Sequence, residues 1–280
     1  MYLCAEIGEL PEIEKIYNNM YLRNIKLFCA FMAAMALTAC SDGGSLPEVG
    51  SISVERMASL TRDNDSPTCQ VSLNMAFLKG PIAEVANAVN SAVVKQLFDM
   101  EGLTLEQAAD SFANKYTRDY VKNFAPLYRD DHGDEQKRAW YNYIFNMNTR
   151  VESRCEHVVT YFTELDYYEG GAHGINQLLT MNFDDRTGEQ ITLSDIFVPG
   201  YQPQLEHLLL EKLLESTGAK DLDDLHDKGY LYSMDMFAPE NFVLDDDGIT
   251  FIYNPYEIAP YSMGKTELSV SKKETDRMRK

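Results

Sequence analysis

Apolar and polar residues alternate at the start of the folded part of the chain and then change to a helical spacing. From Cys69 to Phe77 the odd positions are apolar, which predicts a half-buried strand. Gly80-Pro81 opens an apolar stripe at helical spacing. A second helix, starting at the capping pattern of Thr104, carries aromatic residues at every fourth position from Phe112 to Tyr128. Such a ridge can stack on sugars, but it is more typical of a core face.

Alternation returns after residue 140 and predicts antiparallel strands. The runs over 141–147 and 155–167 form a hairpin pattern, which the Gly-rich stretch 170–174 separates from a second block. The second block is predicted to hold a strand over 175–183, a helix over 203–217, a hairpin around Asp247-Gly248 and a last strand over 267–270.

This order of elements predicts the α+β class. We expect two small mixed domains, each with antiparallel strands packed against one or two helices. The boundaries place an N-terminal α+β domain at 66–168, a C-terminal α+β domain at 169–272 and a basic tail at 273–280 that frays.

The first 39 residues have the pattern of an export signal. Arg23 and Lys26 precede the apolar run 27–37, which is shorter than the roughly 20 residues that a membrane-spanning helix needs. The run ends in Leu-Thr-Ala-Cys40, which resembles the lipobox of bacterial lipoproteins. We therefore expect the chain to be cleaved just before Cys40 and Cys40 to be acylated. Four glutamates in residues 1–19 suit a signal poorly, which favours Met20 as the true start. Residues 40–65 are predicted to be a flexible tether. We therefore expect a lipid-anchored protein of the cell envelope, on the periplasmic face of the outer membrane or on the cell surface.

The net charge of the chain indicates which classes of partner it can bind. The chain has 25 basic and 44 acidic residues, a net charge of −19, of which the leader contributes only −1. Such a surface repels nucleic acid, so no nucleic-acid partner is expected. It also repels anionic headgroups, so contact with the membrane is assigned to the acyl chains alone. Cationic partners would be attracted, although the charge can equally serve solubility.

Two cysteines, Cys69 and Cys155, remain after the leader and the acylated Cys40 are set aside. In an oxidising compartment they are a candidate disulfide. The alternative is two separate buried thiols that behave as small apolar residues.

Three runs of the sequence resemble a known family. They are YYEGGAHG, which ends at Gly174, NFDDRTGEQITLSD over 182–195, and the run 241–263. Together they resemble the C-terminal domain of RsiV-type extracytoplasmic proteins, and the preceding block resembles the domain found ahead of the catalytic domain in a peptidoglycan deacetylase. The resemblance spans 66–270 and implies an extracytoplasmic binding fold, since the family takes its name from an anti-sigma factor that binds lysozyme. Neither a sigma-binding segment nor a deacetylase domain is present, so neither activity is carried over.

The sequence offers little catalytic chemistry. Its five histidines show no HxxxH or HxH spacing, the acidic run before Gly248 fails the calcium-loop template, and no GxSxG elbow occurs. We therefore expect no catalytic residue, no metal and no cofactor.

Two loops supply the candidate binding residues. The aromatic loop contributes Tyr253, Tyr256, Glu257 and Tyr261, and the Gly-rich loop contributes Gly171, His173 and Gly174. The alternatives are a buried loop that caps the sheet and a turn histidine bonded to backbone. The resulting hypothesis is a non-enzymatic binding or sensing module for a cationic, lysozyme-like protein or for a cell-wall glycan such as peptidoglycan. The alternative functions are an envelope hydrolase using acids near His173 and Glu257, and a structural role in surface assembly.

Overall fold

The computed structural model describes residues 48–131 and 135–280. The predicted leader, the predicted start Met20 and the predicted acylation site Cys40 lie outside these residues. The predicted α+β class is confirmed, because strands and helices alternate in blocks around two sheets. No helix within the described ranges has both the length and the apolar character needed to cross a membrane.

The strands and helices have the following bounds. The strands are β1 (Val49–Ser59), β2 (Thr68–Leu78), β3 (Tyr143–Cys155), β4 (Val158–Glu169), β5 (Ile175–Asp184), β6 (Gln190–Ile191), β7 (Phe242–Leu244), β8 (Gly248–Tyr253) and β9 (Thr266–Ser271). The helices are α1 (Ala83–Phe98), α2 (Leu105–Asp131), α3 (Glu135–Arg138), α4 (Leu193–Ile196), α5 (Gln202–Thr217), α6 (Leu222–Asp227) and α7 (Lys272–Thr275), with 3₁₀ turns at Ala139–Tyr141, Tyr261–Met263 and Asp276–Met278.

The described strands β1 to β6 form one sheet in chain order, and β7 to β9 form a second sheet. Strands β2 and β3 are parallel, because α1 and α2 provide the long crossover that parallel neighbours require. The other pairs are antiparallel. The boundary predicted at 168/169 falls at the tip of the β4–β5 hairpin, so the blocks on its two sides share the larger sheet.

Helices α1 and α2 cover one face of the larger sheet and form the first core. The aromatic ridge of α2 contributes to this core: the rings of Phe112 and Phe145 are 5.1 Å apart, and those of Tyr120 and Tyr143 are 5.3 Å apart. Its rings pack against the sheet because they recur on one helical face.

The smaller sheet lies on the opposite face, where Phe162 and Leu178 pack against Val243 and Ile252. Strand β4 is therefore buried on both faces from Val158 to Thr163. Behind the smaller sheet, α5 places Leu205, Leu209 and Leu213 in a second core.

The structure assigns regular elements within two segments that the sequence predicted to be flexible. The predicted tether 40–65 contains β1, which pairs with β2 along its whole length and buries Val54. The predicted fraying tail 273–280 instead begins within α7, whose start is fixed by a capping box between Ser271 and Glu274. The tail then buries Met278 in the second core, which its basic composition did not indicate.

Cys69 and Cys155 are free thiols, which corrects the predicted disulfide. Cys69 lies beside Tyr143 at the start of β3, whereas Cys155 lies twelve residues further along β3. At about 3.3 Å per residue the two are about 40 Å apart, far beyond the reach of a disulfide. Burial raises the pKa of the Cys69 thiol to about 12.

Candidate functional site

Two asparagine side chains bind the open edge of β5, Asn254 from the aromatic loop and Asn241 from the residue before β7. The Oδ1 of Asn254 accepts a hydrogen bond from Leu178 N at 2.7 Å, and its Nδ2 donates to Leu178 O at 3.1 Å. Asn241 accepts from Thr180 N at 2.9 Å and donates to Leu178 O at 2.8 Å. Because β6 pairs with β5 only at Asn182 and Phe183, these amides take the place of a neighbouring strand.

This attachment brings the two predicted loops together. The rings of His173 and Tyr261 are stacked, with centroids 4.0 Å apart and planes 11° apart. The ring centroid of Tyr256 lies 6.5 Å from that of His173 and 5.9 Å from that of Tyr261, and Tyr256 is 57% exposed. We refer to His173, Tyr256 and Tyr261 as the tyrosine–histidine cluster.

Hydrogen bonds fix the imidazole of His173. Its Nδ1 lies 3.1 Å from Gly174 O, a carbonyl that can only accept, so Nδ1 carries the proton and donates. The Nε2 atom, 3.3 Å from the Tyr256 hydroxyl, is then the acceptor in the neutral ring. The histidine is thus held by backbone on one side and by the cluster on the other.

The aromatic loop is strained where Tyr256 is presented. Tyr256 has a φ of +74°, a conformation that non-glycine residues adopt at a cost of about 1–2 kcal/mol. Its neighbour Glu257 accepts a hydrogen bond from Asn254 N at 2.7 Å, and burial raises the pKa of this carboxyl. The loop therefore holds an exposed ring in an unfavourable backbone conformation, a feature that is frequent at binding sites.

The other candidate residues support the cluster or belong to the core. Tyr253 is fully buried and its hydroxyl donates to Phe237 O at 2.6 Å, so this candidate has no surface to offer a ligand. Gly171 has a φ of +97° and its carbonyl accepts from the Tyr168 hydroxyl. At Gly174 an added Cβ would lie 3.0 Å from Tyr167 O, so a larger residue would push the hairpin open.

A cleft of about 540 Å³ adjoins the cluster and shares Tyr261 with it. We call it the acid cleft, and its lining includes Glu164, Asp166, Asn176 and Lys265. Asp166 lies directly between two asparagines of the neighbouring strands, accepting from Asn176 Nδ2 at 3.0 Å and from Asn146 Nδ2 at 3.5 Å.

Glu164 and Lys265 of the acid cleft form ion pairs, whereas Asp166 forms none with a described residue. Glu164 binds Arg150 at 2.6 Å and Lys265 binds Glu267 at 2.7 Å. Within the described part of the chain no lysine or arginine forms an ion pair with Asp166, whose exposed carboxylate is oriented by amides alone. The cleft therefore presents one fixed negative charge beside an aromatic cluster.

The acid cleft was not predicted from the sequence. Alternation along β4 puts Glu164 and Asp166 on one strand face with Phe162, but this alone does not distinguish them from the other acids of the chain. The asparagines that flank Asp166 come from β3 and β5, and only the strand register brings them together. In the residues for which the structure gives positions, no three histidine, cysteine or acidic side chains are grouped to hold a metal ion.

Comparisons with known proteins place the fold but not the function. Residues 194–273 match the family model described as "Protein of unknown function (DUF3298)". The structure is similar to a crystal structure of a DUF3298 family member from Bacteroides fragilis, with a TM-score of 0.78 and 29% identity over 85% of this chain and 96% of that one. It also shares its fold with a DUF3298 family protein from Pseudomonas aeruginosa PAO1, with a TM-score of 0.58 and 17% identity over 84% and 95% of the two chains. No curated protein matched the chain.

Proposed function

We propose that this chain is a non-catalytic binding module of the bacterial cell envelope, held by acyl chains on Cys40, and that it binds a cationic protein. The binding surface combines the acid cleft with the tyrosine–histidine cluster. A basic side chain of the partner enters the cleft, and the partner's surface covers the exposed rings. The resemblance of the sequence to RsiV-type proteins supports a lysozyme-like partner.

The observation that carries the proposal is the carboxylate of Asp166. It is exposed, it is unpaired with any described cation, and two asparagine amides fix its direction. A preoriented carboxylate binds an ammonium or guanidinium group with little further loss of side-chain entropy. Tyr261 borders the same cleft and provides the aromatic contact that binding hot spots favour.

The charge of the whole chain supports the same partner. From Cys40 onward the net charge is −18, the −19 of the whole chain without the −1 of the leader, and this creates a long-range field that accelerates encounter with a basic protein. Added salt weakens this effect. Specificity must come from local contacts, because a field acts on every cation. The cleft and the cluster supply such contacts.

Titration with lysozyme at low ionic strength tests the proposal. The wild-type chain should bind, and Asp166→Asn should weaken binding about threefold to tenfold. Tyr261→Ala should cost roughly tenfold or more. The matched control is Asp227→Asn on α6, which changes the net charge equally at an exposed acid outside the cleft and should leave the affinity unchanged.

These variants distinguish binding at the acid cleft from attraction by the net charge alone. Equal weakening by Asp166→Asn and Asp227→Asn would show that only net charge matters, and absence of binding at low salt would reject the cationic partner. Thermal melts of each variant confirm that the fold is retained. The anchor is tested separately: labelled palmitate should join the wild-type product and not a Cys40→Ala product.

A further inference from the structure

A second recess lies on the other side of the β4–β5 turn and is not part of the acid cleft. It is a cavity of about 670 Å³ between the end of α2, the 3₁₀ turn that contains Trp140, and the glycines of the β4–β5 turn. A smaller cavity of about 270 Å³ continues it along α2, and the two share Phe124 and Glu169. We call the joined recess the α2 groove.

The floor of the α2 groove is aromatic and partly exposed. Trp140, the single tryptophan of the chain, is 58% exposed, and Leu127 beside it is 52% exposed. Tyr116, Phe124 and Tyr141 are half-buried in the same recess. Although the ridge of α2 packs into the core, its outer edges remain open to solvent and form a row of ring surfaces.

The walls of the α2 groove are polar but nearly neutral. Its lining holds the cations Lys115 and Lys137 against the carboxylates Asp119, Asp131 and Glu169. Lys115 binds Asp119 at 2.7 Å, and Lys137 binds Asp131 at 2.8 Å. Glu169 accepts a hydrogen bond from the Tyr116 hydroxyl. On a strongly acidic protein this recess is an exception, because two of its three carboxylates are bound to lysines and only Glu169 carries a charge that no lysine of the groove offsets.

The polar groups of the groove are also held in place. Asp131 accepts from the Tyr141 hydroxyl at 2.8 Å, and its bonds to Lys137 and Tyr141 lower the pKa of its carboxyl. At Gly170 an added Cβ would lie 2.6 Å from Trp140 O, so the β4–β5 turn approaches the backbone of Trp140 closely and closes this end of the groove. The recess is thus preformed.

We propose that the α2 groove binds an uncharged glycan strand. A sugar ring presents C–H groups on its face, which pack against aromatic rings, and hydroxyl groups at its edge, which bond to paired charges without needing a net charge. The volume falls in the range of small-molecule sites. An acyl chain would cover Asp131, Lys137 and Glu169 without replacing their hydrogen bonds to water. A cationic peptide would find two of the three carboxylates already bound to lysines, with Glu169 engaged by the Tyr116 hydroxyl. This site and its ligand are independent of the acid cleft.

The single tryptophan makes the test direct. We would titrate the chain with β-1,4-linked tetrasaccharides of N-acetylglucosamine and of glucose, following tryptophan emission and heat of binding. Saturable binding with a blue shift is expected for at least one of them, and it should persist at high salt because the ligand is uncharged. Trp140→Ala should lower the affinity roughly tenfold, and Trp140→Phe should retain most of it.

The matched control is Tyr232→Ala, since Tyr232 is 82% exposed and lies outside the groove. It should bind like the wild type. Absence of saturable binding of either tetrasaccharide at millimolar concentration overturns the proposal, as does equal affinity of the Trp140→Ala and Tyr232→Ala variants. Binding of the sugars without binding of lysozyme would support the glycan site in the α2 groove and reject the proposed function of the acid cleft. Binding of lysozyme without binding of the sugars would support the acid cleft and reject the glycan site.

Discussion

Replacing Asn254 by alanine tests the attachment of the aromatic loop to the larger sheet. Asn254 is 3% exposed, and its amide binds both the N–H and the carbonyl of Leu178 on the outer edge of β5. Removing the amide leaves Leu178 N without its acceptor at a position covered by the smaller sheet. Leu178 O is less affected, because Asn241 Nδ2 still donates to it at 2.8 Å.

The expected loss follows from these contacts. Leu178 N is part-buried, and a donor left there without a partner costs up to about 3 kcal/mol, while the second bond contributes a net of about 0.5–1.5 kcal/mol. We therefore expect Asn254→Ala to lower the free energy of unfolding by about 2–4 kcal/mol. For a chain of this size that corresponds to a fall in Tm of roughly 5–15 °C.

Urea unfolding followed by the emission of Trp140 measures this loss, with the dependence on urea concentration unchanged. The matched control is Asn74→Ala on β2, because Asn74 also makes two side-chain hydrogen bonds, to Ser53 and Asn148, but is exposed. Its cost should stay within about 0.5 kcal/mol. An equally small cost for Asn254→Ala would refute the claim that this amide replaces a neighbouring strand.

Three further predictions concern acid stability, the thiols and catalysis. Bonds from Lys212 and Ser271 lower the pKa of Glu274 to about 2. The stabilisation of the fold by its carboxylate is therefore fully present above the unfolded pKa near 4.5 and is lost as the pH falls toward 2. Glu274→Gln should reduce the change in urea midpoint between these pH values, and a pH profile like that of the wild type would contradict this prediction. Mass mapping without reductant should find Cys69 and Cys155 both free, with Cys69 unlabelled until urea is added; a linked peptide would contradict the assigned strand register. His173→Ala should leave cell-wall turnover indistinguishable from that of His207→Ala, a control histidine exposed on α5; a selective loss would favour the hydrolase hypothesis.

Local patterns in the sequence predicted the individual strands and helices, but not which distant residues contact them. The alternation of β2 and the Asp247-Gly248 turn each define a strand or hairpin from a few consecutive residues. The edge of β5 is different, since its hydrogen-bond partners are side chains of Asn241 and Asn254 more than sixty residues away. No spacing along the chain encodes such a contact.

For the candidate site, the sequence predicted the two loops but not the contacts between them. Aromatic composition and irregular backbone predicted the loop that holds Tyr256 and Tyr261, and glycine content predicted the loop that holds His173. Their stacking depends on the packing of the smaller sheet against β5. Tyr253 was grouped with them because it is adjacent in sequence, yet strand alternation turns it into the core. Asp166 was missed because an acid on an acidic chain carries no distinguishing pattern until its two flanking asparagines are known.

Hydrogen exchange of the chain with and without lysozyme at low salt tests most directly where the partner binds. Exchange should slow over residues 164–178 and 254–265, which contain the acid cleft and the tyrosine–histidine cluster, and should be unchanged along α2. Protection confined to α2 and Trp140, or a bound complex with no protection in either of the first two segments, would contradict it.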